Sequence, residues 1–344
     1  MANNAAFVAW SRLSRRTRDL ARILGADLIF LPYGPPYLRA WRETARLLGS
    51  KAYDVVFAQL PQGPLLLRLA TLSGRLGFKL VADVHTGFVV YDGLRGWILN
   101  RPFLSLLRAA SAVLAHNRCV AGILQSRLGI GRVYIAYDPL PVLPEPEEPP
   151  FHGELESEPF IVVPASWAGD EPLEYIARSI AQLEGKLRLV VTGDWARSPR
   201  RARRLKRILG GRLVLTGYLP EPQYSWVIRN SLAVVAATRR ECTVLSALWE
   251  AVSAGKLAIV SSTSTLQELL GSDYPCLFNM SPALGPGLPD VIDRCLNLTV
   301  EERLRVIEAY ERLRRLSQAS IELVRSLVRE ASGQAEKGGG EGPL

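Results

Sequence analysis

The stretch Thr238-Arg239-Arg240-Glu241-Cys242-Thr243-Val244-Leu245-Ser246-Ala247-Leu248-Trp249-Glu250-Ala251 has the residue types and spacing that point most directly to chemistry. It follows an apolar, strand-like piece and opens a helical pattern. Thr243 is placed to cap that helix, which would leave the N–H groups of Val244 and Leu245 pointing outward with the helix dipole behind them. A helix start of this kind attracts an anion and suits a diphosphate. Arg239 and Arg240, just upstream, can add charge-assisted hydrogen bonds. Glu250 stands roughly two turns along, on a face that is otherwise apolar. A carboxylate there can accept hydrogen bonds from both hydroxyls of a ribose. A capped core helix carrying one exposed glutamate would give the same pattern.

Histidine is rare: only His85, His116 and His152 occur. That argues against a histidine-rich metal site, and no metal is expected. His85 follows the strand-like Lys79-Leu80-Val81-Ala82-Asp83-Val84, at a carboxyl end of the kind where α/β sheets bind ligands. Asp83 and Asp92 are nearby carboxylates, with Asp83 the more structural of the two. A structural loop histidine is the competing reading of His85. Ala115-His116-Asn117 also follows a strand and is the weaker candidate. Gly193 ends Val190-Val191-Thr192, where a residue without Cβ permits close backbone approach; a plain turn glycine would look the same.

The elements that must position these residues alternate. Strand-like Ala6–Trp10, Asp27–Leu31, Asp54–Ala58, Lys79–Val84, Ala112–Ala115 and Val133–Ala136 are separated by helical patterns such as Ser11–Leu24, Leu38–Leu48 and Arg118–Leu128. The rhythm breaks over the proline- and glutamate-rich 141–159, a semi-rigid linker. It then restarts with Phe160–Val163, Arg188–Val191, Leu213–Leu215, Ala233–Ala236 and Ala258–Ser261, with helices between them and a long one from Val300 to about Arg329. Short strands alternating with helices imply parallel sheets covered on both faces. The expected organisation is a Rossmann-like domain over 1–140, the linker 141–159, a second Rossmann-like domain with its C-terminal helix over 160–331, and a disordered Gly- and Glu-rich tail, 332–344. The site is expected between the two domains.

The formal net charge of +9 comes mostly from arginine, since only six of the 42 basic residues are lysine. Such a balance favours polyanions: diphosphates, anionic lipid surfaces or nucleic acid. A genome or a hot habitat that favours arginine in general would leave the same mark. Interleaved aromatic and basic residues are missing, which argues against nucleic acid. The arginines of Trp10–Arg16 could meet an anionic acceptor or lipid phosphate, and the basic helix Arg200–Arg207 could rest on an anionic membrane; either could equally be a solvated face. The four scattered cysteines, without a CxxC pair, suggest a reducing interior. No apolar run is long enough to span a bilayer, so the expected location is cytoplasmic, with peripheral attachment to the membrane's inner face as an option.

The segment around Glu250 resembles the signature helix of GT-B glycosyltransferases of the family-4-like group, in which a glutamate, seven residues and a second glutamate precede Ala-x-x-x-Gly. Glu250-Ala251-Val252-Ser253-Ala254-Gly255 matches the second half, Ala258-Ile259-Val260-Ser261-Ser262 the following strand, and Leu266-Gln267-Glu268 the motif after it. The first glutamate is out of register: Cys242 holds its position and Glu241 lies one residue further back. Val214-Leu215-Thr216-Gly217-Tyr218-Leu219 resembles the strand and loop that hold the nucleobase, Val190–Asp194 the preceding strand and glycine turn, and Asp83-Val84-His85-Thr86-Gly87 the acceptor-side strand ending in histidine. Pro164–Leu173 lacks the basic pair that many relatives use for the diphosphate and is similar to a divergent archaeal and bacterial subset. Arg239, Arg240, Lys256, Arg197 or Arg200 could supply the missing charge.

The resemblance implies two Rossmann-like domains facing across a cleft, and a metal-independent transfer from a UDP- or GDP-sugar to a glycan or lipid-linked acceptor. No cofactor is implied beyond that donor substrate. His85 and Glu241 would serve the reacting sugar. Gly193, Tyr218, Leu219, Arg239, Arg240, Thr243, Val244 and Glu250 would hold the donor. The shifted glutamate and missing basic pair leave a non-catalytic GT-B scaffold, partner to an active transferase, as the alternative.

Overall fold

Apolar strands of two to six residues, joined by helices, fold into two separate parallel six-stranded sheets. The computed structural model describes residues 4–91, 93–146 and 158–333. Asp92, His152, the centre of the expected linker and most of the expected tail lie outside the described residues.

The first unit contains β1 (Ala5–Trp10), α1 (Arg15–Leu24), β2 (Asp27–Leu31), α2 (Leu38–Leu48), β3 (Val55–Leu60), α3 (Gly63–Leu76), β4 (Lys79–Val84), α4 (Thr86–Val89), α5 (Gly93–Asn100), β5 (Ala112–Ala115), α6 (Arg118–Gly122) and β6 (Val133–Ile135). Its sheet runs β2-β1-β3-β4-β5-β6, with Phe7 opposite Phe57 and Phe57 opposite Val81. Every residue of β1 and β3 is buried, as parallel strands covered on both faces require. Ser14 caps α1 by accepting from the Thr17 N–H, so this helix starts at Arg15 rather than Ser11; Gly25, at φ 62°, ends it in the left-handed conformation.

The second unit contains β7 (Phe160–Val163), α7 (Leu173–Gln182), β8 (Arg188–Thr192), α8 (Pro199–Leu209), β9 (Leu213–Gly217), α9 (Glu221–Asn230), β10 (Ala233–Ala236), α10 (Ser246–Ala254), β11 (Leu257–Ser261), α11 (Ser264–Leu270), β12 (Leu277–Phe278), α12 (Leu288–Leu296) and the start of α13 (Val300–Ala331). The order β12-β11-β10-β7-β8-β9 is the doubly wound Rossmann arrangement. Successive connections run to opposite sides of β7, so the topological switch lies between β7 and β10. The loops after those two strands open the crevice in which such sheets bind ligands.

Three expectations need correction. The chain does not divide at the end of α13: one compact unit takes residues up to Pro139 and those from Ser317 on, the other Leu140–Leu316. The reason is packing, because Val324, Leu327 and Val328 of α13 join Phe7, Leu20, Phe57 and Leu114 in one core cluster. The linker's first residues are also not a free spacer. The Ser253 hydroxyl donates to the Pro141 carbonyl (2.5 Å) and the Ser225 hydroxyl to that of Pro144 (2.6 Å), docking this strap on α9 and α10. Finally, Cys276 and Cys295 form a disulfide between the start of β12 and α12, with Cα atoms 5.9 Å apart, a separation ordinary for a disulfide. The step from scattered cysteines to a reducing interior therefore loses its support. Among the described residues no helix is long and apolar enough to cross a membrane.

Candidate active site

The switch-point loops of the second unit are bound to each other. Asp170, after β7, accepts from the Thr238 hydroxyl (2.7 Å) and lies 3.9 Å from Arg240, while its backbone carbonyl accepts from the Arg239 N–H (2.9 Å). Thr238 is fixed from behind, because its N–H donates to the Ser261 hydroxyl (2.9 Å), which in turn donates to the Thr238 carbonyl (3.0 Å). Arg239 is exposed, whereas Arg240 is half-buried beside Asp170, and burial lowers its pKa. Asp170 lies within Pro164–Leu173, but its role as an organiser rests on partners 68 or more residues away and is not visible in that stretch.

The loop that lacks the basic pair is held from within and from α8. The buried Glu171 carboxylate accepts from the Ser166 N–H and hydroxyl and from the Ala168 N–H. Burial raises the pKa of this carboxyl, and the hydrogen bonds from Ser166 and Trp167 partly offset that. Arg201 donates to the carbonyls of Ala168 (2.7 Å) and Glu171 (2.6 Å) and pairs with Glu174 (3.1 Å). The cations that reach this loop are therefore Arg201 and, at Asp170, Arg240, rather than Arg197 or Arg200. Arg197 lies instead 3.4 Å from Asp194.

Gly193 is required by geometry. It sits at φ +83°, and a Cβ there would fall 1.9 Å from the Ala165 carbonyl oxygen. The close approach is thus made by the chain's own loop, which stacks the turns after β7 and β8. The Gly193 N–H donates to the Gly217 carbonyl (2.9 Å), extending the ladder toward the β9 loop. In that loop Tyr218 is 84% exposed and Leu219 half-buried.

Around Glu250 the structure changes the details. α10 begins at Ser246, with Leu245 at the N-cap and no side-chain cap. Thr243 is not the cap, since its hydroxyl donates to the Glu241 carbonyl (3.4 Å). The left-handed conformation of Cys242 (φ 58°) precedes a helix that starts two residues later than expected, so the dipole-backed N–H groups begin at Ser246 rather than Val244. Glu250 is therefore one turn in, and it is 5% exposed rather than solvated. The Tyr224 hydroxyl, from α9, donates to its Oε2. Tyr224 was another residue not anticipated. Glu241 faces elsewhere, with its carboxylate accepting from the N–H groups of Ser264 (3.1 Å) and Thr265 (3.4 Å) at the start of α11. That is ordinary complementarity to a helix N-terminus.

In the first unit, His85 and His116 come together at the ends of β4 and β5, with ring centroids 4.2 Å apart. Asp83 lies beneath both, 3.8 Å from His85 Nε2 and 3.5 Å from His116 Nε2. Arg16 is buried against it: Nε and Nη2 lie 3.1 Å from Asp83, and Nη1 lies 3.0 Å from Asp138. Burial pushes the Asp83 carboxyl up, but Arg16 and His116 outweigh this and hold it well below the usual carboxylate range. Burial, reinforced by His116 and only partly opposed by Asp83, drives His85 well below the usual imidazole value. A neutral imidazole is the form that accepts a proton. Asp83, His85 and His116 also have the mutual spacing of metal ligands, within 4.8 Å. A sparse histidine count therefore did not keep two of the three apart. The guanidinium already occupies both Asp83 oxygens, so a dication there would meet Arg16 at close range.

Residues 7–140 match the family described as Glycosyltransferase Family 4. No curated protein sequence matches the chain. Among solved structures, sucrose-phosphate synthase from Thermosynechococcus elongatus has a TM-score of 0.75 at 16% identity, over 96% of this chain and 99% of that one. Anabaena HepE, in complex with UDP and glucose, has a TM-score of 0.66 at 12% identity, over 96% and 99%. A UDP-forming α,α-trehalose-phosphate synthase from Burkholderia xenovorans, in complex with glucose-6-phosphate, has a TM-score of 0.64 at 12% identity, over 88% and 80%. The chain therefore has the GT-B fold that its sequence resembles, and its first unit carries the Glycosyltransferase Family 4 match.

Proposed function

We propose that this protein transfers a sugar from a nucleoside-diphosphate sugar, UDP- or GDP-linked, to an acceptor hydroxyl. The observation that carries the reading is Glu250, a buried carboxylate oriented by Tyr224 one turn into the helix that follows the switch-point strand β10. In this reading the ribose hydroxyls donate to Glu250. The N–H groups at the start of α10 and the exposed Arg239 take the diphosphate. Tyr218 and Leu219 flank the base. The developing diphosphate charge is stabilised by dipoles and guanidinium groups already in place. His85, held neutral, receives the acceptor proton or hydrogen-bonds the transferred sugar. HepE, solved with UDP-glucose, supports the choice of donor class. A lipid-linked acceptor and a peripheral membrane location belong to this proposal.

Glu241 favours a second reading. Its carboxylate is committed to α11, as expected of a GT-B protein that binds nucleotide without transferring sugar. Thermal denaturation with UDP, GDP and ADP tests the first requirement of both readings. A ligand at 100 times its Kd stabilises by about 2.7 kcal/mol, or roughly 5–11 °C for a domain of this size. No shift with any nucleotide would remove both. A shift with UDP or GDP, without release of that nucleotide from any UDP- or GDP-sugar, would select the scaffold.

A further inference from the structure

Helix α5 is amphipathic in the inverted sense. Leu94, Trp97 and Ile98 share one face at i, i+3 and i+4 and are 71%, 42% and 54% exposed; Leu99 beside them is 45% exposed. Among the described side chains of the helix the buried one is polar Asn100, whose amide donates to the Gly87 carbonyl (3.2 Å). In a soluble helix the apolar stripe faces the core; here it faces out.

The helix is nonetheless firmly seated. A Cβ on Gly63, at the start of α3, would lie 2.2 Å from the Phe103 ring and 2.8 Å from the Leu99 carbonyl, so this segment closes tightly on the unit's body. Its bare face is not a frayed end. Arg101, one helical repeat beyond Leu94, stacks over the Trp97 ring at 4.9 Å.

Charge says what the face meets. Residues 93–137 contain six arginines and no aspartate or glutamate, and residues 1–139 hold 18 basic against 7 acidic residues. The excess positive charge of the whole chain therefore resides in its first 139 residues. Exposed Leu, Trp and Ile in a segment whose only charges are positive have the chemistry of a helix lying in the headgroup region of an anionic bilayer. The tryptophan suits the interface, and its arginine partner suits lipid phosphate. The α8 face is basic but carries no comparable exposed apolar stripe.

We propose that α5 is a membrane-docking helix that seats the first unit on an anionic lipid surface. Through the Asn100–Gly87 hydrogen bond, the docked helix is tied directly to the loop carrying His85. This deepens the reading of a membrane-associated acceptor but does not depend on sugar transfer, because lipid binding is measured without substrate.

The test is co-sedimentation of the full chain with vesicles of phosphatidylcholine and phosphatidylglycerol at 3:1, at 0.1 and 0.5 M salt. Wild type is expected to sediment with these vesicles, more weakly with phosphatidylcholine alone, and to retain part of its binding at 0.5 M salt through the inserted side chains. Leu94→Ser/Trp97→Ser/Ile98→Ser alters only exposed positions and is expected to weaken binding at least tenfold. Its UDP-induced melting shift should be unchanged, which separates failure of docking from failure of donor binding. The charge-reversal variant Arg203→Glu/Arg207→Glu on α8 is expected to sediment as wild type does. Absence of wild-type binding overturns the proposal. So does a triple variant that binds normally, or binding lost entirely at 0.5 M salt. A wild-type dimer that the triple variant turns into monomer would assign the face to a second copy instead.

Discussion

Replacing Arg16 by methionine strikes the polar core on which His85 rests. The guanidinium makes contacts of 3.0–3.1 Å with Asp83 and Asp138, and Arg16 and Asp83 are both buried. Removing one partner of a buried ion pair leaves the other charge unsolvated, at a typical cost of about 3–5 kcal/mol. That corresponds to a melting-temperature loss of roughly 6–20 °C. The loss must depend on pH. In the wild type, Asp83 titrates below its unfolded value, so its stabilisation is present above about pH 4 and fades as pH falls further. Without Arg16, burial is opposed only by His116 and His85 and raises this carboxyl above its unfolded value, and stability then falls as pH rises through the new pKa. The deficit of Arg16→Met is therefore larger at pH 8 than at pH 5. Thermal denaturation at the two pH values measures it, and Arg16→Met/Asp83→Asn should recover part of the loss at pH 8. A deficit under about 1 kcal/mol, far below the buried-pair range, or one larger at pH 5, refutes the reasoning.

Gly193→Ala places a Cβ against the Ala165 carbonyl at positive φ and is expected to cost about 3 kcal/mol, with a matching loss of UDP binding measured by melting shift. His85 is held neutral by the fold, so its contribution is present above about pH 6.5 and lost below it. His85→Gln should therefore lose less stability than wild type between pH 7.5 and 5.5, by up to about 1.4 kcal/mol; identical pH profiles would place His85 in a solvated state. Glu241→Gln should cost about 0.5–1 kcal/mol through the start of α11 and leave UDP affinity within about twofold, as calorimetry would show. A large loss of turnover at unchanged stability would return Glu241 to the reaction.

The doubly wound sheets were legible because parallel strands buried on both faces read as apolar runs, and the proline-rich break marked where the rhythm restarted. The helices between His85 and Ala112 were not legible. Their stripe of Leu94, Trp97 and Ile98 faces outward, so the period carries no information about a core. The fate of α13 was hidden for a related reason: a 32-residue amphipathic helix does not state which core each half joins. Within the site, Glu250 and Gly193 were found from type and place. Tyr224, Asp170 and Arg16 were not, because each acts through a partner 26, 68 or 67 residues away in sequence. Thr243 misled because a threonine before a helical run is the ordinary sign of a cap, whereas Cys242 turns the chain left-handed and delays the helix.

Calorimetric titration of the full chain with UDP and GDP, repeated on Glu250→Ala and Tyr224→Phe, tests the donor site most directly. One nucleotide should bind. Glu250→Ala should weaken it by about tenfold to a hundredfold, the value of one charge-assisted hydrogen bond to a buried carboxylate, and Tyr224→Phe should weaken it less, since the charge remains. Binding that Glu250→Ala leaves unchanged, or no binding of either nucleotide to the wild type, would contradict the account.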